Sequence, residues 1–151
     1  MTQPSSVFTL AIFGQMLLTI GVSVALLNFR VGVHLSKKVS PQAVADEDRA
    51  KVLYKDGINL SDNLENLFEM PVLFYAIALL VLVRAQSPGG PAVDWGDAAL
   101  AWGFVILRVF HTVIHTTTNR VYRRFQVFVA SSLTLWALIF KAAFAAVRLF
   151  V

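Results

Sequence analysis

The chain has no cysteine. That excludes disulfides, thiolate metal sites and cysteine nucleophiles. Charge is also scarce. Asp, Glu, Lys and Arg make up 15% of the 151 residues, against about 25% in soluble domains. A soluble fold of this length needs more polar surface. No Lys or Arg precedes Arg30, and no small-residue cleavage site closes the first apolar run. The N-terminus therefore does not read as a secretory signal. There is no internal repeat and no low-complexity tract.

Apolar residues dominate instead, at 57% of the chain with a mean hydropathy of +0.67. The pI near 9.8 does not point to nucleic acid, because the basic residues lie in short stretches between apolar segments. The positive-inside rule accounts for them there.

A hydrocarbon core of about 30 Å needs roughly 20 helical residues. Val7 to Leu27 supplies 21 without a charge, interrupted mainly by Gln15 and Ser23. Asn28 to Ser61 is polar, and Ser40-Pro41 reads as the start of a short surface helix ending at Gly57, with Glu47 and Lys51 paired at i,i+4. Met70 to Val83 is uncharged over only 14 residues. The second span must therefore reach back to near Leu64, which brings Glu65, Asn66 and Glu69 to the interface. Pro71 should bend or break it. Ser-Pro-Gly-Gly-Pro closes this span, and Asp94 or Asp97 opens the next. The third span contains Arg108 and His111 and ends at His115. A basic turn with Arg120, Arg123 and Arg124 leads into the fourth.

The expected fold is all-α: an integral membrane four-helix bundle in one domain over 1–151, with spans at about 7–29, 63–84, 97–116 and 124–145. The first and third loops hold nine Lys and Arg, against three (Arg84, Lys141, Arg148) in the second loop and the terminal parts. The nine-residue side is the cytoplasmic one, so both termini are expected outside.

Charges within a membrane cost roughly 2.5–3.5 kcal/mol each on insertion scales. Glu65, Glu69 and Arg108 should therefore avoid lipid. On the second helix Asp62, Asn66, Glu69 and Leu73 share a face; on the third, Arg108, His111 and His115 do. The simplest arrangement pairs Glu69 with Arg108. Such a pair can serve helix packing alone. His111 and His115 have i,i+4 spacing, but no complete metal set accompanies them and Arg108 would repel a cation, so no metal is assigned. Arg108, His111, Arg120 and Arg124 converge on the cytoplasmic mouth. Together with Asn66 and Glu69 they suit a small zwitterionic peptide bearing carboxylates, such as glutathione, beside an apolar co-substrate from the bilayer.

Asn66-Leu67-Phe68-Glu69-Met70-Pro71 resembles the Asn-x-x-Glu…Pro motif of the MAPEG family, the membrane-associated proteins in eicosanoid and glutathione metabolism. Arg108-Val109-Phe110-His111 resembles its Arg-Val-x-His motif. The basic turn with Arg120 and Arg124 is similar too, and the resemblance covers nearly the whole chain. It implies a bundle assembled as a homotrimer in a bacterial inner membrane, with glutathione between neighbouring subunits near the cytosolic side. Binding positions would be Asn66, Glu69, Arg108 and His111, with His115 and Arg120 beside them, and Arg124 would activate the thiol. The implied activity is a glutathione- or thiol-dependent transferase or peroxidase acting on lipophilic electrophiles. The alternative is a non-catalytic membrane protein binding a lipophilic ligand. The sequence departs from many glutathione-using members at Asp62 and Glu65, where they carry arginines, and at His115 and Phe128, where they carry tyrosines.

Overall fold

The computed structural model describes residues 3–147, so Arg148 and Val151 lie outside the described residues. Five α-helices follow one another: α1 (Pro4–Lys37), α2 (Glu47–Leu53), α3 (Ile58–Ala85), α4 (Trp95–Thr116) and α5 (Val121–Val147). No strand occurs among the described residues. Four of the helices (α1, α4, α5, and α3 with the turn before it) are long and apolar enough to cross a membrane. They form the all-α bundle that the hydropathy pattern predicts.

Local chemistry sets the ends of these helices. Pro4 sits in the first turn of α1, where a missing N–H matters least. The α1 helix ends where Lys38 turns left-handed, at φ 51°. At α4, Asp94 and Asp97 form a reciprocal capping box, each carboxylate accepting from the other's backbone N–H at 2.9 and 3.0 Å; this satisfies donors that the helix itself leaves free.

Two local expectations are corrected. The surface helix expected from Ser40 to Gly57 is three pieces, a 3-10 turn at Pro41–Val44, α2 over Glu47–Leu53 and a second 3-10 turn at Lys55–Gly57. The Asp46 carboxylate accepts from Arg49 N at 2.9 Å, and Glu47 and Asp48 follow in the first turn, where the helix dipole favours them. Of the bend or break expected at Pro71, the break does not occur: α3 runs through it unbroken. The proline is buried and withholds one intrahelical donor, a loss that helices packed among neighbouring helices tolerate.

The core is assembled from large rings set among small residues. Phe74 and Phe104 stack with centroids 4.8 Å apart. Phe8, Leu135 and Leu138 surround them, and Ala11, Ala78 and Ala101 permit close approach of the helices. Trp102 Nε1 donates to Val7 O at 3.0 Å, fixing α4 against α1. At the other end of the bundle, Gly57 packs against the Phe29 ring so closely that no Cβ fits there. Leu17, Leu27, Leu79, Phe110 and Phe140 point outward. That is the surface a bilayer requires.

Candidate functional site

The inward stripe of α4 carries the polar groups. Phe104, Arg108, His111 and His115 are all buried along it, at the i+3 and i+4 steps of one helical face. Arg108 is fully buried. Its Nη2 donates to the backbone carbonyl of Asn66 on α3 at 2.6 Å, while Nε and Nη1 have no partner. The His111 and His115 rings meet edge to face with centroids 5.6 Å apart. Next to them Asn63 Nδ2 donates to Thr112 Oγ1 at 3.3 Å.

The expected Glu69–Arg108 ion pair is absent among the described residues, and Arg108 takes a carbonyl instead. The cause is the rotation of α3. Its buried face is Asn63, Leu67, Pro71 and Phe74. Glu69 lies two residues past Leu67, about 200° around the helix, and is exposed, as are Glu65 and Leu73. Glu65 and Glu69 line a separate groove of about 530 Å³ with Arg30 and Ser61.

Three of the predicted residues do come together. Asn66 of α3, His111 of α4 and Arg124 of α5 line a cleft of about 220 Å³, walled by Val121, Phe125 and Phe128. Arg124 Nη1 donates to Asn119 Oδ1 at 2.8 Å, and Asn119 Nδ2 donates to Asn59 Oδ1 at 2.9 Å. The Asn66 amide is turned back, donating to Asp62 O at 2.8 Å. Arg108 and His115 lie buried behind the cleft. Arg120 is exposed and does not line it. Among the described residues no three His, Asp or Glu side chains converge on a metal position.

Sequence reasoning missed Asn119 and Asn59. Asn119 has φ 42°, a left-handed conformation that asparagine tolerates better than most residues. A Thr-Thr-Asn turn between two apolar runs is the signal that could have found it.

Chemically, the cleft offers one accessible guanidinium, one imidazole and apolar walls. That set suits a thiolate or a single carboxylate next to an apolar group. A ligand with two carboxylates and an ammonium needs more charged partners than this one cation.

The MAPEG family model matches residues 7–144. No curated protein and no solved structure matches the chain.

Proposed function

The chain belongs to the MAPEG family, and on that premise we propose that this multi-pass membrane protein is a thiol-dependent transferase or peroxidase acting on lipophilic electrophiles, with glutathione as its thiol. The observation that carries this reading is the meeting of Arg124, His111 and Asn66 at one apolar-walled cleft. When bound, glutathione supplies the nucleophilic sulfur. Arg124 holds positive charge at the mouth of the cleft, and adjacent positive charge favours thiolate over thiol. Asn119 keeps that guanidinium in place. His111 and Asn66 orient the ligand, and Phe125 and Phe128 exclude water and accept the apolar partner.

The cleft is open on one side and covers only part of a tripeptide. A homotrimer supplies the missing wall, with Glu69 and Arg120 acting from outside the single-chain cleft and His115 and Arg108 supporting its floor. The cleft then opens to the cytoplasmic face of a bacterial inner membrane, and both termini lie on the other side.

Isothermal titration calorimetry with the detergent-purified protein tests this. Glutathione should bind with a millimolar Kd or tighter, and Arg124→Ala should weaken binding about tenfold or more. No binding to a folded, assembled protein overturns the reading.

A second reading follows from Asp62 and Glu65, which put negative charge where glutathione-using members carry arginine. It makes the cleft a pocket for a lipophilic ligand without thiol turnover. Under that reading Arg124→Ala leaves ligand affinity unchanged, and only Arg108→Ala, which removes a bridge between α3 and α4, impairs assembly.

A further inference from the structure

At the end of the bundle opposite the Arg124 cleft lies a more enclosed cavity of about 210 Å³. It is bounded by the last turn of α3, the loop into α4 and the last turns of α5. Its charged lining is Arg84, Asp94, Asp97 and Lys141, with Val81 and Phe144 among its apolar walls.

These charges are unequally used. Lys141 Nζ donates to both carboxylate oxygens of Asp94 at 2.8 Å and to Asp97 Oδ1 at 2.5 Å. Two carboxylates share this one ammonium, so the trio carries one excess negative charge. Arg84 stands apart. It makes a single hydrogen bond, from Nη1 to the Ala142 carbonyl at 2.6 Å, and has no carboxylate partner among the described residues. Its Nε is buried without a partner. A guanidinium has five N–H donors arranged to receive phosphate or carboxylate oxygens. One side of the cavity therefore holds an under-used cation, and the other holds surplus carboxylate. Asp94 keeps acceptor capacity to spare, because its side chain remains 60% exposed.

The complementary ligand is a zwitterion with an anionic oxygen cluster and an ammonium bearing N–H donors. Depth narrows the choice. Arg84 closes the apolar run of α3, and Asp94 caps the first turn of α4. Both thus lie where headgroups meet the hydrocarbon, and Val81 and Phe144 offer an apolar wall to an acyl chain. We propose that this cavity binds the headgroup of a phospholipid with a primary ammonium, phosphatidylethanolamine in class, its phosphate on Arg84 and its ammonium on Asp94. The soluble phosphate ester O-phosphoethanolamine shares this chemistry, so the test must separate the two.

Native mass spectrometry of the detergent-purified protein, exposed to equal amounts of phosphatidylethanolamine, phosphatidylcholine and phosphatidylglycerol, reads the preference directly. The ethanolamine lipid should be retained at least about threefold over either other lipid. Arg84→Gln should lower its retention to the phosphatidylcholine level. Asp94→Asn keeps a capping oxygen and should erase the preference over phosphatidylglycerol. Thermal melts establish that each variant is folded. If Arg84→Gln is not, Arg84→Lys, which keeps the charge but loses the planar fork, should still reduce retention. Equal retention of the three lipids overturns the proposal, as does unchanged retention in a folded Arg84 variant. Displacement of the lipid by millimolar O-phosphoethanolamine reassigns the cavity to a soluble ligand and overturns the lipid assignment.

Discussion

Arg124 and Asn119 are joined by a 2.8 Å hydrogen bond, from Nη1 to Oδ1, that ties the first turn of α5 to the turn before it. Asn119 passes the restraint on to Asn59 at 2.9 Å, so a guanidinium on α5 is anchored to the start of α3. Asn119→Gly keeps the left-handed backbone easy and removes the brace. Both hydrogen bonds of the side chain are lost, so the variant should lower the melting temperature modestly and weaken glutathione binding severalfold, in line with about 1 kcal/mol for each lost hydrogen bond. Asn119→Ala adds backbone strain of about 1 kcal/mol and should lower the melting temperature further. Calorimetry beside thermal melts separates the two effects.

The stacked Phe74 and Phe104 rings are both fully buried. Phe104→Ala should destabilise the bundle by about 3 kcal/mol, the low end for buried aromatic truncations, because lipid-facing helices gain little from solvent exclusion and depend on packing. Unfolding in mixed micelles measures it. A loss under about 1 kcal/mol would show that the helices close the gap.

The contact between Gly57 and Phe29 leaves no room for a methyl group. Gly57→Ala should destabilise by about 1–3 kcal/mol through overpacking. Adding Phe29→Leu should recover part of that loss, giving a double-mutant coupling of opposite sign to the single effects. Additive losses would mean that the glycine matters for its backbone rather than for the ring.

Asp94 gives stability a pH edge. Its hydrogen bond with Lys141 holds its carboxyl below the usual aspartate value of 3.8. A carboxyl depressed in the fold contributes stability above its unfolded value and loses it as pH falls through the folded value. Thermal midpoints should be flat with respect to this group at neutral pH and decline below about pH 4. Asp94→Asn should lower the neutral-pH midpoint slightly and flatten the acid decline. An unchanged acid decline would assign it to other carboxylates.

Much of this was readable in the sequence, unevenly and for physical reasons. The bilayer demands long uncharged runs, and such runs are visible without partners, so the four crossing helices were legible. The stripe Arg108, His111, His115 followed from helical spacing alone. The facing of α3 did not. Glu69 looked like the natural partner for Arg108, yet Asn63, Leu67 and Phe74 decide which side of α3 turns inward, and they leave Glu69 outside. Helical spacing alone puts Asp62, Asn66, Glu69 and Leu73 on one face, but it does not say which face turns inward. The Asn119 brace is legible only in part: the Thr-Thr-Asn turn signals Asn119, whereas its partner Asn59 lies 60 positions away.

The length of α1 has a consequence for access to the Arg124 cleft. At 34 residues the helix is about 51 Å long, some 20 Å more than the hydrocarbon it crosses. Its far end is tied to the segment before α3, where Tyr54 Oη and His34 Nε2 lie 2.7 Å apart and Arg30 lies over the Tyr54 ring. Neither α1 nor α2 contributes a wall to the cleft. The approach is therefore lopsided. One flank of the bundle carries a long, braced post, and the cleft itself is walled by residues of α3, α4 and α5 alone.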